Sequence, residues 1–283
     1  MTFNHYENTC VKISKKLTEA YSTSFSWGIK AFNPKYREPI YSIYGWVRVA
    51  DEIVDTFHQA NKKQLLDKFK LDTYEAIESG VSTNPIIHSF QKVANQFNIG
   101  SDLIDAFLLS MEMDLGETSY ERKSYDLYIY GSAEAVGLMC LKVFCNGESF
   151  KYNELVHSAK MLGSAFQKVN FLRDINSDLT DRKRIYLPDV HHEMLINNTN
   201  KKSLELEIEE EFHEALQGIK KLPIGVKLGV YSAYHYYLML FKKIKRLDVK
   251  QLMSKRVRIS NFYKFFLFLK SFWEVKVINL RKL

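Results

Sequence analysis

Two stretches of the sequence each carry a pair of aspartates four residues apart with an arginine close by. The first stretch has Arg48, Asp51 and Asp55, and the second has Arg173, Asp174 and Asp178. We call Asp51/Asp55 the first aspartate pair and Asp174/Asp178 the second. Positions i and i+4 share one face of an α-helix, so the carboxylates of each pair can converge on a hard cation such as Mg²⁺. Such a cation usually shares its remaining positions with substrate phosphate oxygens, so the pattern predicts two sites for diphosphate groups.

Each aspartate pair continues a polar stripe along an otherwise apolar helix. The stripes follow steps of three or four residues and consist of Tyr41, Tyr44, Arg48, Asp51 and Asp55 in the first helix and Gln167, Asn170, Asp174 and Asp178 in the second. Aspartate and asparagine are weak helix formers, and a solvated face more often carries Lys, Glu or Gln. We therefore expect both stripes to face a cavity.

This arrangement suits the ionisation of an allylic diphosphate. Bound metal ions, Arg48 and Arg173 would neutralise the charge that builds up on a departing diphosphate. An aromatic, apolar cavity would shelter the resulting carbocation from water. One Asp-x-x-x-Asp pair alone is more often an exposed helical pattern, but two pairs on apolar helices, each near an arginine, favour a functional site.

The elements that carry these residues are predicted to be helices. Only 12 Gly and 5 Pro occur in 283 residues, and period-two alternation is scarce. We expect helices at about 7–30, 39–57, 62–79, 84–97, 101–115, 124–146, 151–179, 200–221 and 224–246. Because 46% of the residues are hydrophobic and no low-complexity linker divides the chain, we predict one all-α domain, a helical bundle over residues 1–283 with a central cavity.

Composition narrows the class of partner. A formal charge of +7 indicates an acidic partner, which could be nucleic acid, an anionic membrane or a phosphorylated small molecule. No zinc-finger or RNA-recognition motif supports nucleic acid. The three cysteines lack the spacing of a disulfide framework or zinc site, and the first residues lack an apolar signal region, so we expect a cytoplasmic protein.

The last segment, residues 262–283, mixes aromatic residues with lysine and arginine. Two interpretations stay open for this segment. It either packs on the domain or forms a basic amphipathic helix that lies at the inner face of the membrane.

Two other patterns are expected to be structural. His191 and His192, followed by Glu193, lack helical ligand spacing and are expected in a surface loop rather than in a metal site. The aromatic residues of the helix at 224–246 are Tyr231, Tyr234, Tyr236, Tyr237 and Phe241. We expect most of them to pack in the core.

Four motifs resemble those of the squalene and phytoene synthase family. They are the Ser-x-Ser-Phe segment at 22–25, YGWVRVADEIVD at 44–55, YIYGSAEAVG at 128–137 and LGSAFQKVNFLRDINSDLTDRKRIYLP at 162–188. The last motif is the most specific, and the pattern is most similar to bacterial phytoene synthases. One departure is AEAVG at 133–137, where the family has Ala-Gly-Thr-Val-Gly, and we expect Glu134 to point away from the pocket.

The resemblance implies the isoprenoid-synthase fold, dependence on Mg²⁺ with Mn²⁺ as a substitute, and head-to-head joining of two prenyl diphosphates. For a phytoene synthase, two geranylgeranyl diphosphates would react through a cyclopropylcarbinyl diphosphate without NADPH. The product would pass to downstream carotenoid enzymes, which are candidate partners.

The resemblance also implies a role for each matched residue. Metal and diphosphate would be bound by Asp51, Asp55, Asp174 and Asp178, and phosphate would be contacted by Arg48 and Arg173. Tyr128 would lie beside the reacting diphosphate. The substrate sites would be lined by Ser22, Phe25, Tyr44, Gln167 and Asn170. In the weaker carboxy-terminal match, Arg256 within KRVRIS would make a distal phosphate contact.

Three alternatives stay open. Farnesyl diphosphate as substrate would give squalene or dehydrosqualene, since the sequence does not identify the side chain that closes the tunnel. A catalytically silent homologue would act as an assembly or binding protein, although both aspartate pairs, Arg173 and Tyr128 are present. A terpene cyclase of similar fold is disfavoured by the RDINSD and RIYLP matches.

Overall fold

A computed structural model describes residues 2–192 and 196–277 of the chain. The α-helices are α1 (Phe3–Tyr21), α2 (Thr23–Lys30), α3 (Pro34–Asp55), α4 (Lys62–Ser79), α5 (Pro85–Phe97), α6 (Ser101–Gly116), α7 (Arg122–Ile129), α8 (Ala135–Cys145), α9 (Ser149–Ser177), α10 (Asn198–Lys221), α11 (Ile224–Lys245), α12 (Val249–Ser254) and α13 (Asn261–Lys276). Short π-helical turns lie between α7 and α8 and directly after α9. Within the described ranges, β-type pairing is limited to one isolated bridge between Ser119 and Ile185, so the predicted all-α class is confirmed.

Local sequence sets several helix ends. Asn61 and Asn84 cap α4 and α5 by accepting hydrogen bonds from backbone N–H groups of the first turn, and Pro85 occupies that turn in α5. Gly80 ends α4 with a left-handed φ of 75°. These are the standard signals for the start and end of a helix, which is why the expected boundaries of α4 and α5 are nearly correct.

Two predicted boundaries near the amino terminus were wrong. The helix expected over 7–30 is two helices, because Ser22 has an extended backbone and caps α2 through its hydroxyl. The helix expected from Pro39 begins at Pro34, whose fixed φ suits a first turn. Pro39 lies inside α3, and the Lys35 carbonyl that loses its i+4 donor there belongs to an exposed residue.

The later helices are interrupted or extended relative to the prediction. The helix expected over 124–146 is divided by the π turn Tyr130–Glu134, and the helix expected to end at 179 passes into the π turn Asp178–Arg182. The short helix α12 was not predicted. In the basic carboxy-terminal segment, α13 is the expected helix, while residues 278–283 lie outside the described ranges.

The first π turn brings α6 and α8 together. Gly131 approaches α6 so closely that an added Cβ would lie 2.2 Å from the carbonyl oxygen of Ala106, so the position requires glycine. Next to it, Ser132 lines the interior cavities described below. Single π turns within helices often occur at functional sites, and this one places polar and small side chains in the interior wall.

The side of α3 opposite its polar stripe packs into the core. Trp46 is fully buried, stacks on Phe90 with ring centroids 4.2 Å apart, and donates its indole N–H to the Thr73 hydroxyl at 3.0 Å. Replacing a buried Trp by Ala typically costs about 3–5 kcal/mol. This packing fixes the rotation of α3 about its axis and directs the first aspartate pair toward the interior cavity.

One stretch, Arg122–Cys145, is long and apolar enough to cross a membrane by length and composition. Half of it is buried inside the protein, and Tyr125, Tyr128 and Met139 belong to the hydrophobic core. The stretch packs against α6 and α9, which is the role of a core helix in a folded domain.

Candidate active site

A polar cavity of about 210 Å³ lies where α3 faces α9. Nine residues that were expected in the site line it, namely Arg48, Asp51, Asp55, Tyr128, Gln167, Asn170, Arg173, Asp174 and Asp178. Four further polar residues that were not expected also line it, namely Asp114, Ser132, Arg182 and Tyr186. The fold therefore brings the two aspartate pairs, which are far apart in sequence, into one cavity.

In the first aspartate pair, Asp51 has an incomplete counter-charge. Arg48 Nη1 lies 3.6 Å from Asp51 Oδ2, and the same guanidinium also donates to Glu52 and stacks over the ring of Tyr21 at 4.2 Å. Burial raises the pKa of Asp51 to about 7 against the lowering effect of Arg48, and Asp55 adds to the rise. A cation bound beside Asp51 would therefore favour its charged form.

The second aspartate pair is held by three arginines. Arg173 Nε donates to Asp174 Oδ1 at 2.9 Å, and Arg256 Nε lies 2.7 Å from the same oxygen. Burial opposes ionisation of Asp174, but the hydrogen bonds from Arg173 and Arg256 outweigh it and keep the pKa below its usual value. Burial raises the pKa of Asp178 to about 6, although the neighbouring Arg182 lowers it. Arg256 thus reaches the site through Asp174, and its distal phosphate contact stays a prediction.

Arg182 joins the two aspartate pairs. Its Nη2 donates to Asp55 Oδ2 at 3.0 Å, and its Nη1 donates to Asp178 Oδ1 at 2.6 Å. Arg184 Nη1 approaches the other oxygen of Asp55 at 3.3 Å. The Arg182 guanidinium thus contacts one carboxylate from each pair. The carboxylates of the two pairs are therefore close enough to bind one group of charges together.

Asp114 of α6 is a buried acceptor that the sequence analysis missed. It accepts hydrogen bonds from the hydroxyls of Tyr120 at 3.0 Å, Tyr128 at 2.8 Å and Tyr186 at 2.7 Å. Arg184 Nη1 lies 3.6 Å from the same carboxylate, and burial raises the pKa of Asp114 against these stabilising partners. The network fixes the Tyr128 hydroxyl in the wall of the polar cavity.

A sequence signal for Asp114 was available. Phe107, Met111 and Asp114 follow one another at steps of four and three, so an acidic residue continues a buried apolar face of α6. A carboxylate is rarely buried without specific partners. Arg184 and Tyr186 lay within the RIYLP motif but had been given no role.

An apolar tunnel of about 330 Å³ continues from the polar cavity into the bundle. The two share Val47, Ser132, Gln167 and Asn170 at their junction. At 1.5 Å per helical residue, the wall runs about 22 Å along α9, from Asn170 to Leu155. Along the π turn and α8 it runs about 18 Å, from Ser132 to Phe144.

Small residues keep this tunnel open. Its walls include Gly28, Ala133, Gly137, Ala159, Gly163, Ala215, Gly218, Gly229 and Ala233. At the deep end, the ring of Phe144 packs against that of Phe32 with centroids 5.3 Å apart. Small side chains therefore line the tunnel along its length, and aromatic side chains close its deep end.

The expected residues of α2 lie at the tunnel rim or support it. Phe25 lines the tunnel and stacks on Tyr44, with ring centroids 4.8 Å apart. Ser22 accepts a hydrogen bond from the N–H of Phe25 at 3.2 Å. Its side chain thus positions α2, and a direct substrate contact by Ser22 stays a prediction.

Glu134, His191 and His192 were expected to lie outside the site. Glu134 forms an ion pair with Lys160 at 3.6 Å. His191 Nδ1 lies 3.2 Å from the Ser119 hydroxyl in an exposed segment, and Glu193 lies outside the described residues. In residues 2–192 and 196–277, no group of three or more His, Cys, Asp and Glu side chains is arranged to hold a metal by itself.

Most aromatic residues of α11 pack in the core, as expected. Tyr231, Tyr234 and Phe241 are buried. Tyr237 is partly buried and stacks on Phe166 with centroids 3.9 Å apart, close to the tunnel entrance. This contact supports the wall of the tunnel.

An all-α bundle with two facing aspartate pairs above an apolar tunnel defines a prenyl transferase of the isoprenoid-synthase type. The chain belongs to the squalene/phytoene synthase family, whose model matches residues 18–263. The family assignment made from the four motifs is thereby confirmed.

Individual relatives agree with this family. The chain is 29% identical over 262 residues to a 15-cis-phytoene synthase of Synechocystis, which covers 84% of this chain and 75% of that enzyme. It is 32% identical over 182 residues to a chloroplastic phytoene synthase of an Oncidium hybrid cultivar, covering 61% of this chain but only 42% of the orchid enzyme. A crystal structure of a dehydrosqualene synthase shares the fold, with a TM-score of 0.80, 21% identity and coverage of 97% and 99% of the two chains.

Proposed function

We propose that this protein joins two geranylgeranyl diphosphates head to head to form phytoene. The observation that carries the proposal is the depth of the apolar tunnel below the two aspartate pairs. Similarity to enzymes named phytoene synthase in a cyanobacterium and a plant supports the same product.

Tunnel depth discriminates between C20 and C15 chains. An extended polyisoprenoid advances by about 5 Å per C5 unit, since its four chain bonds extend much as backbone bonds do. A C15 chain therefore spans about 15 Å and a C20 chain about 20 Å. The tunnel walls, about 18 and 22 Å long, suit the C20 chain, whereas a C15 chain would stop short of Phe144.

The aspartate pairs have the donor chemistry for Mg²⁺. Asp51, Asp55, Asp174 and Asp178 offer carboxylate oxygens, the ligands that Mg²⁺ and Mn²⁺ prefer, and burial raises the pKa of Asp51 and Asp178, so a bound cation would favour their charged forms. Each pair supplies two carboxylates, which leaves room for water and phosphate oxygens. A bound metal would supply positive charge that stabilises a departing diphosphate.

The protein's own residues then bind, orient and exclude water. Arg48 and Arg173 lie at the cavity wall and contact phosphate oxygens when diphosphate replaces their carboxylate partners. Asp114 holds the Tyr128 hydroxyl beside the same space. The apolar tunnel keeps water from the allylic cation, because its wall is built almost entirely of carbon.

The reaction that fits this site needs no external reductant. The first diphosphate leaves with the electrons of its C–O bond, and the double bond nearest the diphosphate of the second substrate attacks the allylic cation. Loss of a proton closes a cyclopropane ring and gives a cyclopropylcarbinyl diphosphate. Its own ionisation, rearrangement and proton loss form the central double bond of phytoene, so NADPH is not consumed.

The test is to identify the hydrocarbon formed by the purified protein. The protein is incubated with Mg²⁺ and either geranylgeranyl or farnesyl diphosphate, with and without NADPH, and the extracted product is identified by mass spectrometry. Phytoene from the C20 substrate, independent of NADPH, is the expected result. A C30 product from farnesyl diphosphate alone would replace the proposal by its nearest competitor, and turnover of neither substrate would favour a binding protein.

A further inference from the structure

Helix α13 turns most of its large apolar side chains away from the protein, although Leu267 is buried. On its outer face, six large apolar side chains are exposed to solvent, namely Phe262, Phe265, Phe266, Leu269, Phe272 and Trp273. Toward the protein, the buried Ser271 hydroxyl lies 2.9 Å from His235 Nδ1, and Glu274 accepts a hydrogen bond from Tyr231 at 3.1 Å. A helix packed against a core normally turns its apolar face inward. The outer face of α13 therefore has the composition of a surface that contacts an apolar partner.

A basic groove adjoins the amino-terminal end of this helix. It has a volume of about 760 Å³, and its charged residues are Lys242, Lys243, Arg246 and Arg258. Tyr263 of α13 also lines it, so the groove and the aromatic face are continuous. Among the residues that the structure describes, no carboxylate lines the groove. Its charge is therefore available to an external anion.

Charge is distributed unevenly along the whole chain. Residues 241–283 contain 13 Lys and Arg but only 2 Asp and Glu. Residues 1–240 contain 27 Lys and Arg and 31 Asp and Glu. The net positive charge of the protein thus resides entirely in the carboxy-terminal segment that includes the groove and α13. This separation orients the protein toward an anionic surface.

We propose that α13 and the basic groove dock the protein on an anionic lipid membrane. The six aromatic and aliphatic side chains enter the boundary between headgroups and acyl chains, while the four basic residues contact lipid phosphates. The aromatic face and the basic groove adjoin at Tyr263, which matches a lipid surface where phosphates lie next to acyl chains.

Docking through α13 also bears on the tunnel. On one side, α11 supports α13 through Tyr231 and His235, and on the other its residues Gly229, Val230 and Ala233 line the tunnel. One helix thus separates the tunnel from the proposed membrane contact. This connection to prenyl substrates rests on the proposed function, whereas the docking itself does not.

Co-sedimentation with vesicles tests the docking directly. The intact protein is mixed with vesicles of phosphatidylcholine alone or of an equal mixture with phosphatidylglycerol. We expect binding to the anionic vesicles and much weaker binding to the neutral ones. Wild-type protein that stays in the supernatant with anionic vesicles would overturn the proposal.

Two triple variants separate the apolar and basic contributions. The apolar variant is Phe262→Ser, Phe266→Ser and Trp273→Ser, and the basic variant is Lys242→Gln, Arg246→Gln and Arg258→Gln. The apolar variant should bind neither vesicle. The basic variant should lose its preference for anionic vesicles by roughly a hundredfold, since each basic residue near such a surface contributes about a fivefold change in partitioning.

Matched variants elsewhere on the surface serve as controls. The apolar control is Leu71→Ser, Phe150→Ser and Leu206→Ser, all exposed by more than half, and the basic control is Lys12→Gln, Lys16→Gln and Lys123→Gln. Circular dichroism checks the fold of each protein, and both controls should bind like wild type. Equal losses in the control and α13 variants would refute a site-specific contact.

Fluorescence of Trp273 gives a second readout that needs no disruptive change. Anionic vesicles should shift the emission of the wild-type protein to shorter wavelength, and this shift should be absent in Trp273→Phe. Emission that does not move while the protein sediments with vesicles would contradict the proposed orientation. Light scattering that shows a dimer dissociated by the apolar variant, or RNA binding without vesicle binding, would assign the surface to another partner and refute membrane docking.

Discussion

The hydroxyl of Tyr128 donates a hydrogen bond to Asp114 Oδ2 at 2.8 Å, and both side chains line the polar cavity. Asp114→Asn would turn an amide N–H₂ toward hydroxyl donors. We expect a loss of about 1–3 kcal/mol in unfolding free energy and a fall in kcat of at least about tenfold, because Tyr128 is no longer held in place. Urea unfolding and steady-state kinetics measure the two effects.

A matched control lies one turn earlier on α7. The hydroxyl of Tyr125 is buried without a hydrogen-bond partner, so Tyr125→Phe should change stability and kcat very little. Tyr128→Phe should retain the fold but lower kcat. If Tyr125→Phe and Tyr128→Phe had equal effects, the Asp114 network would have no special part in the site.

Each aspartate pair is expected to be indispensable. Asp51→Asn and Asp174→Asn each remove a negative charge from the cavity. Each should lower kcat at least about a hundredfold, because the carboxylates then no longer balance the charges of the metal ions and the diphosphate. Asp67→Asn is the control, because Asp67 is exposed on α4 and pairs with the surface residue Lys63. Steady-state kinetics with saturating Mg²⁺ measure the loss of kcat, and circular dichroism checks that each variant is folded. Full activity in either cavity variant would refute the metal role.

A bulky side chain placed about three quarters of the way down the tunnel should change the substrate. Ala159 lies eleven residues before Asn170 on α9, or about 16 Å along the helix axis. Ala159→Phe should block a C20 chain and leave room for much of a C15 chain, so turnover of geranylgeranyl diphosphate should fall about tenfold or more relative to farnesyl diphosphate. The ratio of kcat/KM for the two substrates measures this change. An unchanged ratio would mean that the tunnel does not hold the prenyl chain.

Acid should destabilise the protein through His235. Burial lowers its pKa to about 4, although Glu274 opposes the fall and Lys270 and Lys242 add to it. The unfolded histidine titrates near 6.5, so the unfolded state binds more protons between those values and stability falls as pH drops from about 6.5 to 4. The contribution is on the order of 2 kcal/mol.

The variant His235→Gln isolates this effect. Its unfolding free energy should depend less on pH than that of the wild type over this range, as measured by urea titrations at several pH values. An exposed histidine such as His157 provides the control substitution, His157→Gln. Parallel pH profiles for wild type and His235→Gln would contradict the assignment.

The parts of the site that could be predicted from sequence are those that repeat along one helix. Spacing placed the first aspartate pair on one face of α3 and the second on one face of α9 and the π turn that follows it, and both faces line the cavity. The scarcity of Gly and Pro predicted that these elements are helices. Periodicity, however, describes one helix at a time.

Contacts between distant segments could not be predicted in this way. Asp114 meets Tyr128 and Tyr186 only after α6, α7 and the segment after α9 have packed together. Arg182 bridges the two pairs because a π turn follows α9. Likewise, the composition of α13 suggested an amphipathic helix, but only packing on α11 showed that Ser271 and Glu274 face inward while most of its aromatic side chains face outward.

The most direct measurement of the central claim is a competition between the two candidate substrates. The purified protein is given equal concentrations of geranylgeranyl and farnesyl diphosphate with Mg²⁺, and the hydrocarbons are separated by chain length. We predict that the C40 hydrocarbon phytoene predominates and that both Asp51→Asn and Asp174→Asn abolish it. A predominant C30 product would contradict the assignment of a C20 tunnel, and product formation that survives both substitutions would contradict a reaction at the two aspartate pairs.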